Sequence, residues 1–590
     1  MQIKLVQQVQ RSVLVLLMAL TACGAAEPEP TRPPVAQVIQ VTVFPTPVPT
    51  ATSAPTPTPT PQPTPTPARP ELLLNSMTLE QKVGQIMMIG FNSTTLIPEV
   101  REVLTTLHIG GVALFEANVE SPLQLAQLVR EMQANAQTNG DPALFIAADQ
   151  EGGPVARLRE NLGFTEFPSA MALAATGEVT QARRVAEAMT GEMKAVGINM
   201  NLAPVLDVNN NPANPVIGIR SFGSDPLKVG EFGLAMLQVF QSNGILAVGK
   251  HFPGHGDTAV DSHISLPLIA YSRNRLNSIE LVPFKAAIDN GIAGIMSAHI
   301  VFPALDETPN LPSTLSSKVQ TTLLRDDLKF DGMALSDALD MGALETAGFT
   351  TPEAAARALA AGIDVLTFNT SLSVYAEVHA LIVEKVRSGE IPQARLDEAV
   401  RRVLRAKERF GLMDAPLVDV ETAPSLVGQP ATEALSQDVA ARAITLVRDN
   451  GMNGAKLLPI PAGITNVLVI ETPYAIGLAA ALDAPVVQVS EQPDSFEIEY
   501  AVAAASGKFV VVGTYDVAIN QTQADLVDAL LAAGVPVVVV AARSPYDALY
   551  LQNAPTVVAI YGITQFAAVA NALRGSAPMS GTLPVAFQPG

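Results

Sequence analysis

The chain of 590 residues is 48% hydrophobic and 16% charged, and it holds 46 prolines, one cysteine, no tryptophan and a formal net charge of −20. Such a length carries two or three domains with sizeable cores. The acidic balance and a 5% aromatic content leave no basic, aromatic-studded stripe for a phosphate backbone, so nucleic acid is not expected as a partner.

Lys4 and Arg11 precede an apolar run over 13–20, which closes on Leu20-Thr21-Ala22-Cys23-Gly24. A positive start and a run well short of the roughly 20 residues of a spanning helix make 1–22 a secretory signal. The small residues before Cys23 resemble the bacterial lipobox, whose cleavage leaves an acylated cysteine at the mature N-terminus. The only cysteine stands at the one position lipidation needs. Cys23 is therefore the expected lipidation site, and the protein is expected to be exported and membrane-anchored at the cell envelope. Residues 23–70 then shift to proline and threonine, with about a third of all 46 prolines. This tract buries no core and is read as an extended tether reaching on the order of 100 Å.

Eight short apolar runs follow, at 83–91, 110–115, 143–148, 198–206, 245–248, 293–297, 332–336 and 363–368. Near-continuous Val, Ile, Leu and Ala suit parallel strands covered on both faces. Amphipathic helices lie between them. After Ser121, Pro122 fits the first helical position, and Leu125, Leu128, Val129, Met132 and Ala136 form one stripe. Eight such units over 71–413 predict a (β/α)8 TIM-like barrel, with a doubly wound open sheet as the structural rival.

Polar residues gather just after the strands. The third leads into Asp149-Gln150-Glu151-Gly152-Gly153 and Arg157, and the loop after the fourth carries Asn214 to Gly223 with Arg220. The fifth ends in Lys250-His251-Phe252-Pro253-Gly254-His255-Gly256-Asp257-Thr258, followed by Asp261-Ser262-His263. The sixth ends in Ser297-Ala298-His299 and the seventh in Ser336-Asp337. Any one of these reads as a salt bridge or a loop staple. Their recurrence at one end of successive strands, with no such pattern at the other end, predicts a polar pocket at the C-terminal face.

The motif from Lys250 to Thr258, with Asp261-Ser262-His263 and Ser336-Asp337-Ala338-Leu339-Asp340-Met341, resembles glycoside hydrolase family 3, in its β-N-acetylglucosaminidase branch. The resemblance covers most of 72–412. It implies a retaining, exo-acting hydrolase of terminal GlcNAc from peptidoglycan or chitin-derived oligosaccharides. Asp337 would be the nucleophile, forming a glycosyl-aspartate, and His263 the acid/base, oriented by Asp261. Asp149, Arg157, Arg220, Lys250 and His251 would hold sugar hydroxyls. No metal or cofactor is implied. Imidazole suits the acid/base role because it holds and releases a proton near neutrality, and the absence of tryptophan suits action on one end sugar rather than along a polymer. The rival readings are a β-glucosidase or other family 3 glycosidase, a GlcNAc phosphorylase, and an inactive sugar-binding lipoprotein. His255 and Asp257 are expected to shape the glycine-rich turn, Glu151 to sit in a turn beside the sugar, and Asp340 to be the weaker rival of Asp337. His299 is left between lining the pocket and packing. Ala117 stands where many relatives carry arginine, a departure that puts a contact there in question and leaves the chemistry unaffected.

Residues 414–430 are read as a linker and 431–590 as a second, smaller domain. Residues 440–447 resemble the opening of the second domain in the family. Apolar runs at 467–470, 486–489, 509–512, 535–540 and 557–561 predict an α/β sandwich with a parallel sheet, mainly structural in role. The protein is expected to be a monomer.

Overall fold

A computed structural model describes residues 68–587; the expected signal segment, Cys23 and the proline tract up to Pro67 lie outside the described residues. Eight parallel strands form the first sheet: β1 (Met87–Ile89), β2 (Gly111–Leu114), β3 (Phe145–Ala148), β4 (Met200–Asn201), β5 (Leu246–Phe252), β6 (Gly294–Ser297), β7 (Met333–Ser336) and β8 (Leu366–Phe368). They lie in the order β8-β1-β2-β3-β4-β5-β6-β7, and a parallel bridge between Leu335 and Val365 brings β7 against β8. The sheet is thus a TIM-like barrel rather than an open sheet.

Strand bounds differ from the sequence expectation where local chemistry intervenes. Val83, Gly84 and Gln85 belong to the helix Leu79–Gln85, because Thr78 and Gln81 form a capping box that starts a helix ahead of β1. β4 shrinks to two residues, since Pro204 has no N–H to give the ladder. β5 runs further than expected and carries Lys250 and His251 on the strand itself. Outside the barrel, the helix Pro122–Asn139 buries Leu125, Leu128, Val129, Met132 and Ala136 and stops at Gly140, whose φ of +77° suits glycine.

The end of the barrel away from the strand C-termini is not free of charge, contrary to expectation. Just before β8, Asp364 is fully buried and accepts from Arg325, Arg395 and Arg402 at 2.5, 2.6 and 3.2 Å. These arginines come from helical segments, so a search along the strand ends does not find them.

The second sheet contains β9 (Thr445–Asp449), β10 (Val467–Glu471), β11 (Val486–Gln488), β12 (Phe509–Thr514), β13 (Val537–Ala541) and β14 (Thr556–Ala559), in the order β9-β14-β13-β12-β10-β11. It is mixed rather than purely parallel, because edge strand β9 runs antiparallel to β14. Leu446 is exposed and Arg448 half-buried, so β9 lacks the continuous apolar run of a strand covered on both faces.

The barrel and this sheet belong to one compact unit. Val420, Ala423 and Val427, in the segment read as a linker, are buried against the barrel core. Met171, Ala172, Ala175 and Ile219 of the barrel lie in the core of the second domain. Tyr546 donates its hydroxyl to the carbonyl of Asn209 at 2.7 Å, and Ser169 donates to the carbonyl of Tyr561 at 2.8 Å. Among the described residues, no helix is long and apolar enough to cross a membrane.

Candidate active site

Asp149 stands at the end of β3, followed by a tight hairpin of Gln150–Gly152 and Val155–Ala156. Gly152 and Gly153, with φ of +89° and +59°, make its turn. The Gln150 side chain accepts from the N–H groups of Arg157 and Leu158, and the Arg157 guanidinium thereby reaches Asp149 at 2.9 Å. Lys250 on β5 donates to Asp149 at 2.5 Å and lies 2.8 Å from Glu151. Arg220 grips Glu151 with two bonds of 2.9 Å. Burial opposes charge on Asp149, but Lys250 and Arg157 outweigh it and hold this carboxyl well below the usual range. Glu151 is likewise held down, against burial, by Arg220 and Lys250, and Lys250 is held up, against burial, by both carboxylates. Glu151 does sit in a turn, but its carboxylate is spent on fixing Arg220 and Lys250 instead of facing a ligand.

Asp207 does for His251 what Glu151 does for Arg220. Fully buried, it accepts from His251 Nδ1 at 2.7 Å and from the backbone N–H of His255 at 2.6 Å. This contact assigns a proton to His251 Nδ1, and Nε2 lies 3.4 Å from an Arg220 nitrogen. Sequence reasoning missed Asp207, although it follows the apolar run ending at Leu206, the same signal that drew attention to Asp149. His255 is buried, pairs with Thr258 and Ser262 at 3.0 and 2.9 Å, and is pushed down to about 4 by burial. It is a neutral loop staple, and Asp257 beside it pairs with Arg275 at 3.5 Å.

Asp337 follows β7 and accepts from the N–H of Ala338 at 2.8 Å. Burial opposes its ionisation, but His251, His299 and that N–H together hold it below the usual carboxylate range. His299 lies underneath, buried, donating from Nε2 to the carbonyl of Ala338 at 3.0 Å and pairing through Nδ1 with Thr314. It supports the Asp337 loop and does not line the pocket. Asp340 is exposed at the rim and accepts from the N–H of Asn369 at 2.8 Å. His263 sits on an exposed loop with its side chain 61% open, and both its Nδ1 and its backbone N–H meet Asp261 Oδ1, at 2.7 and 2.8 Å.

One cavity of about 340 Å³ is lined by Asp149, Arg157, Arg220, Lys250, His251, His263 and Asp337. Asp261 acts on it only through His263. From β8, Thr367 adds a buried hydroxyl that has no partner among the described residues. Asn118, next to Ala117, is turned away from the cavity and bonds the carbonyls of Phe91 and Ser93. A larger cavity of about 590 Å³ lies in the second domain, but Lys508 is the one ionisable side chain around it, so size does not select the site. Among the described residues, no cluster of three His, Cys, Asp or Glu is arranged to hold a metal ion.

A carboxylate, an imidazole and a charged clamp around one sugar-sized cavity at the C-terminal face of a barrel suit glycoside cleavage. Residues 78–406 match the model of the glycosyl hydrolase family 3 N-terminal domain. The chain belongs to glycosyl hydrolase family 3. Beta-hexosaminidase A of Pseudoalteromonas piscicida is 35% identical to this family 3 hydrolase over 413 residues, covering 64% of this chain and 68% of that protein. A solved family 3 beta-N-acetylglucosaminidase from Paenibacillus sp. str. FPU-7 superposes with a TM-score of 0.80 at 34% identity, over 87% of this chain and 100% of that one. The beta-N-acetylhexosaminidase of Beutenbergia cavernae gives a TM-score of 0.53 at 31% identity, over 56% of this chain and 99% of that one.

Proposed function

We propose that this family 3 hydrolase is a retaining β-N-acetylhexosaminidase that removes terminal β-linked GlcNAc from peptidoglycan or chitin-derived oligosaccharides. The observation that carries the reading is the meeting of Asp337 and His263 on one cavity whose cations Arg157, Arg220 and Lys250 are already paired with Asp149 and Glu151. In the first step the Asp337 carboxylate attacks the anomeric carbon, the glycosidic C–O bond breaks, and protonated His263 gives its proton to the leaving oxygen. In the second, neutral His263 takes a proton from water, the water oxygen bonds the same carbon, and Asp337 departs as carboxylate. Asp261 fixes the tautomer of His263 and stabilises its charged form. The ion-paired Asp149, Arg157, Lys250 and Arg220, with His251, present a rigid array of donors and acceptors to sugar hydroxyls. The names of the hexosaminidase relatives support GlcNAc as the sugar. We also propose that Cys23 carries the lipid that anchors the enzyme outside the cytoplasm.

The test is turnover of aryl β-GlcNAc beside aryl β-glucoside, in phosphate and in a phosphate-free buffer, with products identified. Free GlcNAc in both buffers is the expected result. Preference for the glucoside makes the protein a β-glucosidase, and a sugar phosphate product makes it a phosphorylase. Asp337→Asn should lose at least roughly a thousandfold in kcat. A parent that binds sugar but turns over no aryl glycoside would leave only the binding-protein reading. His263→Ala should cost about 10²- to 10⁴-fold on substrates with poor leaving groups and little on activated ones in kcat/KM.

A further inference from the structure

The loop that carries His263 is held by very little. Val260 is 43% exposed and Ile264 75%, so apolar packing holds the loop only weakly. Three contacts pin it around the histidine. Ser262 Oγ pairs with His255 Nε2 at 2.9 Å, the N–H of Gly342 donates to the carbonyl of His263 at 3.2 Å, and that of Ala343 donates to the carbonyl of Ser262 at 3.3 Å. The two backbone bonds are long, and both come from the segment that begins with Asp337, five residues before Gly342. One loop therefore carries the nucleophile and holds the acid/base.

Gly342 makes this approach possible. A Cβ at that position would stand 2.8 Å from the carbonyl oxygen of His263 and 2.9 Å from that of Ile264. Both are main-chain atoms, so no side-chain rotation relieves the clash; the Asp337 segment is bonded to Ser297 and Thr367 of the barrel, so the His263 loop is the one expected to retreat. Gly342 is not among the residues of positive φ, so glycine is required here for closeness and not for backbone conformation.

We propose that Gly342 is a positioning residue, whose missing side chain lets the Asp337 loop dock the His263 loop over the pocket and so sets the reach of the acid/base. The inference rests on the reading of His263 as acid/base. Asp337 is anchored apart from Gly342: its N–H donates to the carbonyl of Ser297 at 3.2 Å, and that of Leu339 donates to the carbonyl of Thr367 at 2.9 Å. A side chain there should therefore impair proton transfer and spare nucleophilic attack.

The experiment compares kcat/KM of the parent, Gly342→Ala and Gly342→Ser on a GlcNAc disaccharide and on 2,4-dinitrophenyl β-GlcNAc. This constant reports events up to formation of the glycosyl-enzyme. The disaccharide should lose between about tenfold and a hundredfold, as a displaced catalytic group does, and the dinitrophenyl substrate less than about twofold. On the dinitrophenyl substrate kcat should fall with KM, because water attack still needs His263 as base. Azide, which needs no base, should restore kcat. Gly191→Ala is the control, since a Cβ there meets nothing within 4 Å. Equal losses on both substrates, or no loss on the disaccharide, overturn the proposal. Should Gly342→Ala not fold, Ser262→Ala decides. It cuts the other tether without adding an atom, and a loss without leaving-group dependence overturns the proposal. If His263→Ala itself shows no leaving-group dependence, the acid/base reading has failed; if it does and Gly342→Ala does not, only the proposal has.

Discussion

Removing the Asp207 side chain would leave three buried donors unpaired: His251 Nδ1 and the N–H groups of His251 and His255. Each such group costs about 1–3 kcal/mol. Asp207→Ala is therefore expected to destabilise the fold and to lower kcat/KM on the order of a hundredfold, because His251 loses its orientation. Parallel denaturant melts and kinetics check this, and unchanged kinetics would show that His251 holds its place without Asp207. Lys407 poses the opposite problem. It is fully buried with Gln85 Oε1 at 2.9 Å and the Phe145 ring at 5.1 Å, and burial pushes its pKa down from 10.5 to about 7. Between those pH values the unfolded chain binds more protons at this site than the folded one, so stability rises with pH across the window. Lys407→Met should be more stable than the parent at pH 7, by on the order of 1–4 kcal/mol, with the gap narrowing towards pH 10. A gap that stays constant with pH would contradict this.

The element that joins the two domains to the chemistry is the loop after β4. Ile219 is 2% exposed and lies in the core of the second domain, next in sequence to Arg220 in the cavity. On the other side, a Cβ at Gly562 would come 2.6 Å from the Ile219 side chain. The second domain thus backs the segment that carries Arg220, where the sequence suggests a mainly structural part. Ile219→Ala is expected to cost about 2–5 kcal/mol and to raise KM more than it lowers kcat. A stability loss with unchanged KM would confine the domain to a structural role. Most strand-end residues around this loop were legible, since each follows an apolar run within a few positions. Asp207 was legible by the same rule and was passed over. Glu151 was not, because its partner Arg220 lies 69 residues away.

At the scale of the whole molecule, the barrel hands Met171, Ala172, Ala175 and Ile219 to the second core. A fragment of residues 68–429 of this chain would expose those four side chains together and is expected to aggregate or to melt well below the parent. A soluble fragment with the parent's kcat/KM would show that the second domain is dispensable. The charge of −20 bears on none of this. The cavity pairs acids with bases, and its field is set by those local pairs rather than by the net balance.

The sequence by itself determined the succession of eight strands and their helices, the face on which polar residues collect, and the long histidine motif that marks the family. These are local signals: continuous apolar runs, caps, and residues at fixed short spacing. Only the tertiary structure decided that the eight strands close on themselves, which carboxylates serve other residues, that His299 lies under the Asp337 loop and not in the pocket, that charges also fill the other end of the barrel, and that the Asp337 and His263 loops meet closely at Gly342. Such contacts join residues from different strands and helices, often dozens of positions apart. They leave no periodicity along the chain, because they arise only when the closed barrel brings its loops to one face.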